Sequence, residues 1–400
     1  MEEGRRRQAS TTGGFSAFAS FREIIAYAAP FFCKLLDRGH ATASWFQSCY
    51  NRAPRSDSPS GITLGARPVP KHYVGHLSSR DPLHPFLLHD ILPQMSVHNS
   101  RADFRVFSMK HSKVYLYQEC HSNAQVVGKF FANGHETTEA IQRMRQEFDN
   151  LQLLRGFGLA GYPHHIVRPL GTNAWLNGIL VEEYAPGVPL SAFVNDAIHQ
   201  GQSQPLFEKL TALAYFLATL HNRTANGQGV DFHQDCAYLD RLVRKLQTRQ
   251  VIGAWDADEL YWLRDRWREK PRMWEDNQVL VHGDATPSNL LFGRGLTVIA
   301  IDLERMKRAD RTFDLGRIAG ELQHYFLQAG NKHAAEPFIG HFLWEYACHF
   351  PDRDRAFHSI AGRLSFQMAL TLLRIARNSW VSAPHRRRLV EEAKIILRTP

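Results

Sequence analysis

The sequence has no CxxC pair and no Cys/His cluster with zinc spacing; its five cysteines, Cys33, Cys49, Cys120, Cys236 and Cys348, are scattered and odd in number. A disulfide framework and a zinc-stapled fold are therefore excluded, and reduced thiols in a cytoplasmic protein are the expectation. It also lacks any apolar run near the ~20 residues that a transmembrane segment needs. Arg5-Arg6-Arg7 precede a partly apolar stretch from Phe15 to Leu36, but Arg22, Glu23 and Pro30 interrupt it and no clear small-residue cleavage site is present, so secretion is not expected. An acidic excess is missing too. Lys and Arg outnumber Asp and Glu by 48 to 39, and two thirds of that surplus sits in residues 1–110. Such a surplus can attract nucleic acid or anionic lipid, yet no nucleic-acid module or aromatic-basic stripe accompanies it. Solubility is the favoured reading, and nucleic acid is not an expected partner.

What is present is an ordinary globular composition, 44% hydrophobic and 22% charged, in a chain too long for one core. Residues 1–72 read as a basic N-terminal extension and linker. Phe18, Phe21, Ile25, Ala28 and Phe32 recur at helical spacing, and residues 51–71 are rich in Pro, Ser, Gly and Arg. That helix is expected to pack on the main body rather than make peripheral membrane contact, because its polar face is poor in Lys and Arg. Tyr73 to Ser100 shows no clean period, and its histidines, His76, His84, His89 and His98, lack metal-ligand spacing. From Asp103 three short alternating runs predict an antiparallel sheet: 104–107, 114–117 and 124–131. A helix is predicted over Thr138 to Leu154, with Ile141, Met144, Phe148 and Leu151 as its apolar stripe and Glu147 at the border. Further helices are predicted over Leu206 to His221, within residues 225–276, from Phe313 onward, over Phe366 to Trp380 and over His385 to Leu397. His221 is expected to be a packed or hydrogen-bonded core histidine, and Asp314 to cap or buttress the neighbouring loop.

The densest chemistry lies between Val281 and Asp302. An apolar run after Asn289, a Gly293-Arg294-Gly295 turn and a second β-branched run predict a hairpin that folds Asp302 back toward the loop from Asp284 to Asn289. Two carboxylates and an amide then converge. Mg²⁺ takes such oxygen ligands, often together with substrate phosphates, so Asn289 and Asp302 are candidate metal ligands. Asp284 is left to accept a proton from an attacking hydroxyl.

The sequence His282-Gly283-Asp284 with Asn289, followed by Ile301-Asp302-Leu303-Glu304, resembles the catalytic and metal motifs of the aminoglycoside phosphotransferase and choline kinase superfamily. The resemblance spans roughly residues 103–380. It implies an α+β, bilobal, protein-kinase-like fold: a small antiparallel-sheet N-lobe with its lead-in over 73–183, a large helical C-lobe over 184–400, and an N-terminal helical extension. It also implies ATP and Mg²⁺ as cofactors and places Lys129, oriented by Glu147, on the ATP phosphates. Backbone groups near Glu183 and Ala185, in the strand and turn from Gly178 to Gly187, would meet the adenine edge. A protein kinase is not implied, because Thr286 stands two residues after Asp284 and only about ten residues separate Asp302 from the helix of Asp314, too few for an activation segment. One departure from the family pattern concerns glycine. The joint Met109-Lys110-His111-Ser112 between the first two strands has none, although close backbone approach to phosphate usually uses it.

The reading that follows is an ATP- and Mg²⁺-dependent phosphotransferase acting on a hydroxyl of a small molecule. A pseudokinase-type module recruiting a partner through the basic extension is the alternative, and nucleic-acid binding through that extension rests on charge alone. Aminoglycoside, amino-alcohol, sugar and lipid-linked acceptors stay open, with the basic balance weighing against a polycationic antibiotic. Acidic residues of the 225–276 insertion, among them Asp231, Asp235, Asp256, Asp258, Glu259, Glu275 and Asp276, offer a place for a cationic acceptor or simply a solvated face. Nothing in the sequence sets the oligomeric state.

Overall fold

The computed structural model describes residues 72–99, 101–109, 113–132 and 138–399. The helix expected in the N-terminal extension, and Lys110, His111 and Ser112 of the glycine-free joint, lie outside the described residues.

The fold is α+β, an antiparallel sheet followed by a helical part. β1 (His72–His76) leads into a helical segment that starts as α1 (Leu83–Phe86) and continues through a π turn over Leu87–Ile91 and a 3₁₀ turn over Leu92–Met95. β2 (Phe104–Ser108), β3 (Val114–Glu119) and β4 (Gln125–Phe130) follow, then α2 (Thr138–Gly156), β5 (Ala160–Gly161), β6 (His164–Ile166), β7 (Pro169–Asn173) and β8 (Ile179–Glu183). Six strands form one antiparallel sheet in the order β1-β2-β3-β4-β8-β7. Period-two alternation decides what each face carries. Val126 of β4 joins Phe104, Tyr117, Ile179 and Val181 in a core closed by Leu83, Leu87 and Ile91 of the lead-in. Lys129 therefore leaves on the opposite face, toward α2. The lead-in was not legible as structure because Pro82, Pro85 and Pro93 mask a four-residue repeat, Leu83-Leu87-Ile91, that the fold uses.

The helical part begins with β9 (Val188–Pro189), α3 (Leu190–Gln200), α4 (Ser203–Thr224), α5 (Phe232–Thr248) and α6 (Ala254–Arg268). The short strands β10 (Val279–Val281), β11 (Leu290–Phe292), β12 (Val298–Ala300) and β13 (Lys307–Ala309) then frame the site, and α7 (Thr312–Gln328), α8 (Glu336–Ala347), α9 (Arg353–Ala376) and α10 (Ala383–Arg398) complete the chain. The helix expected over Phe366 to Trp380 instead starts at Arg353 and stops at Ala376, its first turns being too polar to show the stripe.

Five acidic residues of the insertion, Asp231, Asp235, Asp256, Glu259 and Asp276, are engaged in hydrogen bonds or ion pairs. Asp235 accepts from Gln367 Nε2 at 2.8 Å, and Lys394 of α10 bridges Asp256 at 2.7 Å and Glu259 at 3.2 Å. Asp276 takes Arg311 at 2.9 Å and Arg363 at 2.5 Å, while Asp231 caps α5 through the His233 amide. These carboxylates join the insertion to the C-terminal helices.

Candidate active site

The loop between β10 and β11 is held from below. Asp314, in the first turn of α7 and fully buried, accepts the amides of His282 at 2.7 Å and Gly283 at 3.1 Å. Burial alone would raise its pKa; hydrogen bonds from His221 and from the His282 amide outweigh it and keep Asp314 below the usual carboxylate range. His221 is itself buried, between Asp314 at 3.3 Å and the Tyr346 hydroxyl at 2.9 Å, and burial lowers its pKa. Gly283 has φ +80°, and a Cβ there would sit 1.9 Å from the Arg305 carbonyl oxygen, so the loop crosses the Asp302–Arg305 segment at a place only glycine fits. Beyond it the loop closes on itself: the Asn289 amide group donates to the Asp284 carbonyl at 3.0 Å, and Thr286 N donates to the same oxygen at 2.7 Å.

The hairpin forms with Leu290 opposite Ala300 and Phe292 opposite Val298. Ile301 N donates to the Asn289 carbonyl at 3.1 Å, which brings Asp302 beside Asn289. Asp302 has φ +65°, a left-handed conformation rare for a non-glycine residue and frequent at functional turns.

On the sheet side, Lys129 Nζ lies 2.6 Å from Glu147 Oε1 and 3.3 Å from Glu182 Oε1. Glu147 does not border the buried face of α2 as expected. It lies within it, among Ala140, Met144, Leu151 and Leu154. Burial would lower the Lys129 pKa, but the charges of Glu147, Glu182 and Asp302 overcome it and raise it. Burial pushes the Glu147 pKa up to about 7 against the opposing charge of Lys129, and burial raises Glu182 as well. Asn150 of α2 donates to the Leu303 carbonyl at 2.8 Å, tying this helix to the segment after Asp302.

Carboxylate oxygens of Glu147, Asp302 and Glu304 lie within 4.8 Å of one another. Clustered carboxylates beside one ammonium, in a mostly buried place, fit a hard divalent cation. Glu304 and Glu147 thus stand beside Asp302 as further candidate ligands. Glu183 ends β8 with its amide donated to the Arg168 carbonyl at 2.9 Å and its carboxylate bound to His165 at 2.7 Å; Tyr184 N still donates to the Gln125 carbonyl at 3.2 Å, and the backbone then leaves the ladder through Ala185 to Gly187.

Asp284 is not free. Its Oδ1 accepts from Arg374 Nη2 of α9 at 2.6 Å, and its Oδ2 lies 3.6 Å from Arg305 Nη1. Sequence reasoning missed Glu182, Asn150, Arg305 and Arg374. The one available signal was a glutamate in the run Ile179-Leu180-Val181-Glu182, where a buried strand holds a charge only with a partner.

Residues 103–349 match the family described as "Phosphotransferase enzyme family". A search of curated proteins finds no sequence match. Among solved structures, the chain is similar to a Plasmodium vivax ethanolamine kinase, at 13% identity and TM-score 0.52, over 78% of this chain and 87% of that one. It is also similar to the choline kinase LicA of Streptococcus pneumoniae, at 17% identity and TM-score 0.44, over 73% and 92%. A GDP complex of aminoglycoside 2'-phosphotransferase-IIIa matches at 17% identity and TM-score 0.47, over 79% and 99%.

Proposed function

This chain belongs to the phosphotransferase enzyme family, and from that premise we propose that it transfers the γ-phosphoryl group of ATP to a hydroxyl of a small molecule, with Mg²⁺. The observation that carries the reading is the convergence of Glu147, Asp302 and Glu304 beside Lys129, a set of charges suited to a triphosphate and its cation. Lys129 is held by Glu147 and binds the α and β phosphates. The backbone at Glu183 and Ala185 receives the adenine edge. Asp302 and Asn289, with Glu304, would hold Mg²⁺, which would supply charge neutralisation on the transferring phosphates. Asp284 orients the acceptor hydroxyl and takes its proton as the new oxygen–phosphorus bond forms and the bond to the β-phosphate oxygen breaks, releasing ADP. The transition state of such transfers is loose, so alignment and charge contribute more than proton removal. Nothing among the described residues favours the binding-module alternative.

The test is a pair of measurements. Thermal shift should show stabilisation by ATP that requires Mg²⁺ and disappears in Lys129→Met, and ADP release should depend on an added hydroxylated acceptor. Failure of ATP and Mg²⁺ to stabilise the wild-type protein, with no ADP release, overturns the reading.

A further inference from the structure

Around Asp284 the helical part gathers cations that the proposed phosphoryl transfer does not use. Arg374, beyond the family-matched span, bonds Asp284 at 2.6 Å and faces Glu321 at 3.4 Å; its Nε is buried with no hydrogen-bond partner. Arg317, one turn before Glu321 on α7, is 4% exposed, and its Nε and Nη1 are buried without partners. Arg317 and Arg374 are close enough to repel each other, and both act on Glu321. Arg305, half exposed, lies on the other oxygen of Asp284, and Arg377 stands within electrostatic reach of Arg374 and Arg305. Three guanidiniums, Arg374, Arg317 and Arg305, thus gather at Asp284 and Glu321, with Glu304 already bound to Arg305 at 3.3 Å.

The geometry leaves donors for an anion beside Asp284. Asp284 Oδ2 has lone pairs left for an acceptor hydroxyl beside Arg374 on Oδ1, and the guanidiniums around it hold N–H groups that an anion brought with that hydroxyl would satisfy. Arg317 already has N–H groups with nothing to bind. Planar guanidinium groups match carboxylate and phosphate oxygens, often in pairs of parallel bonds. A cationic acceptor brought to the same place would meet three guanidiniums with Asp284 and Glu321 already paired to arginine, and Asp276, Asp256 and Glu259 of the insertion are bound to Arg311, Arg363 and Lys394.

We propose that the acceptor is a hydroxylated small molecule carrying an oxyanion, whose negative group is received by Arg374, Arg317 and Arg305 while its hydroxyl bonds Asp284. This rests on the reading of Asp284 as the acceptor-side carboxylate. It assigns acceptor choice to α7 and α9, and Arg374 and Arg305 to acceptor binding.

The probes are matched three-carbon alcohols: glycerol as the neutral member, glycerate and glycerol 3-phosphate as the two oxyanion sources, and ethanolamine as a cation. Binding to the nucleotide-free protein is measured first, by thermal shift and calorimetry, because it needs no turnover. Glycerate or glycerol 3-phosphate should bind at least tenfold more tightly than glycerol or ethanolamine, and which of the two binds identifies the oxyanion. Arg374→Gln should abolish that preference. Arg305→Gln, a change at a half-exposed side chain that the fold tolerates, should weaken it severalfold. In ADP release, Arg374→Gln should raise KM for the anionic acceptor far more than KM for ATP. Equal or tighter binding of ethanolamine or glycerol, or oxyanion binding indifferent to both substitutions, overturns the proposal. If the oxyanions bind through these arginines but ATP with Mg²⁺ does not stabilise the protein, the phosphotransfer reading fails and the oxyanion site stands.

Discussion

Glu182 Oε1 lies 3.3 Å from Lys129 Nζ, so the lysine that pairs with Glu147 has a second buried carboxylate on it. One ammonium between two carboxylates, with Asp302 in electrostatic reach of all three, leaves excess negative charge in a desolvated place when no other cation is present. That excess has consequences for stability.

In the folded protein the Glu147 pKa is raised to about 7 from the ordinary 4.5. Between those values the folded state keeps a proton that the unfolded chain has lost, so stability falls as pH rises through that window and levels off above it. The expected loss from this group is on the order of 2 kcal/mol. Glu182→Gln removes one of the charges that raise Glu147, so its denaturation midpoint should vary less between pH 5 and 7 and should exceed that of the wild type at pH 8. Lys129→Met should do the opposite and steepen the decline. A wild-type profile that rises from pH 5 to 8, with Glu182→Gln parallel to it, contradicts this account.

Asp284→Asn keeps the shape of the loop and removes its negative charge. Turnover should drop by roughly 10²- to 10⁴-fold, the usual weight of a positioned acid–base group, while the Kd for ATP with Mg²⁺ stays within about twofold. Isothermal titration beside ADP-release kinetics separates the two. Retained turnover would remove Asp284 from the role proposed for it.

Asp314 serves the same loop from inside the core. Its carboxylate takes two amides, His282 and Gly283, and the His221 ring, with no exposed surface of its own. Asp314→Ala leaves those buried donors unsatisfied and should cost about 3–5 kcal/mol. Asp314→Asn retains one acceptor and should cost less. Urea denaturation measures both, and a loss below ~1 kcal/mol for the alanine variant would show that water replaces the carboxylate without penalty.

The local parts of the site were legible and the long-range parts were not. His282-Gly283-Asp284, Asn289 and Asp302 lie within about twenty residues, and a hairpin signal supplies their geometry. The three central strands and α2 were likewise carried by local periodicity. Arg374 meets Asp284 across 90 residues of sequence, from a helix face that reads as ordinary core. Glu182 looked like one more residue of a strand, because nothing in a strand pattern tells which face meets Lys129. The acidic insertion was open between two readings for the same reason: charge is visible in sequence, but partners such as Lys394, Arg311 and Arg363 come from elsewhere in the chain.

The same long-range packing yields a further test at α7. Gly316 and Gly320 share one face of that helix, and a Cβ at Gly316 would lie 2.3 Å from Gln367 Cβ of α9, one at Gly320 2.6 Å from Thr371 Cβ. The two helices touch backbone to side chain there, without room for a methyl group. Gly316→Ala gains helix propensity of about 1 kcal/mol, but forcing α9 away costs ~1–3 kcal/mol or more, so the melting temperature should fall. Because α7 carries Asp314, Arg317 and Glu321, and α9 carries Arg374, the separation also shifts the loop and its arginines. The kcat of Gly316→Ala, measured well below its melting temperature, should therefore drop. Leu397→Ala, in the core between α10 and the rest of the helical part, should lower the melting temperature and leave kcat unchanged. If both variants lose kcat in proportion to stability alone, the contact between α7 and α9 has no special hold on the site.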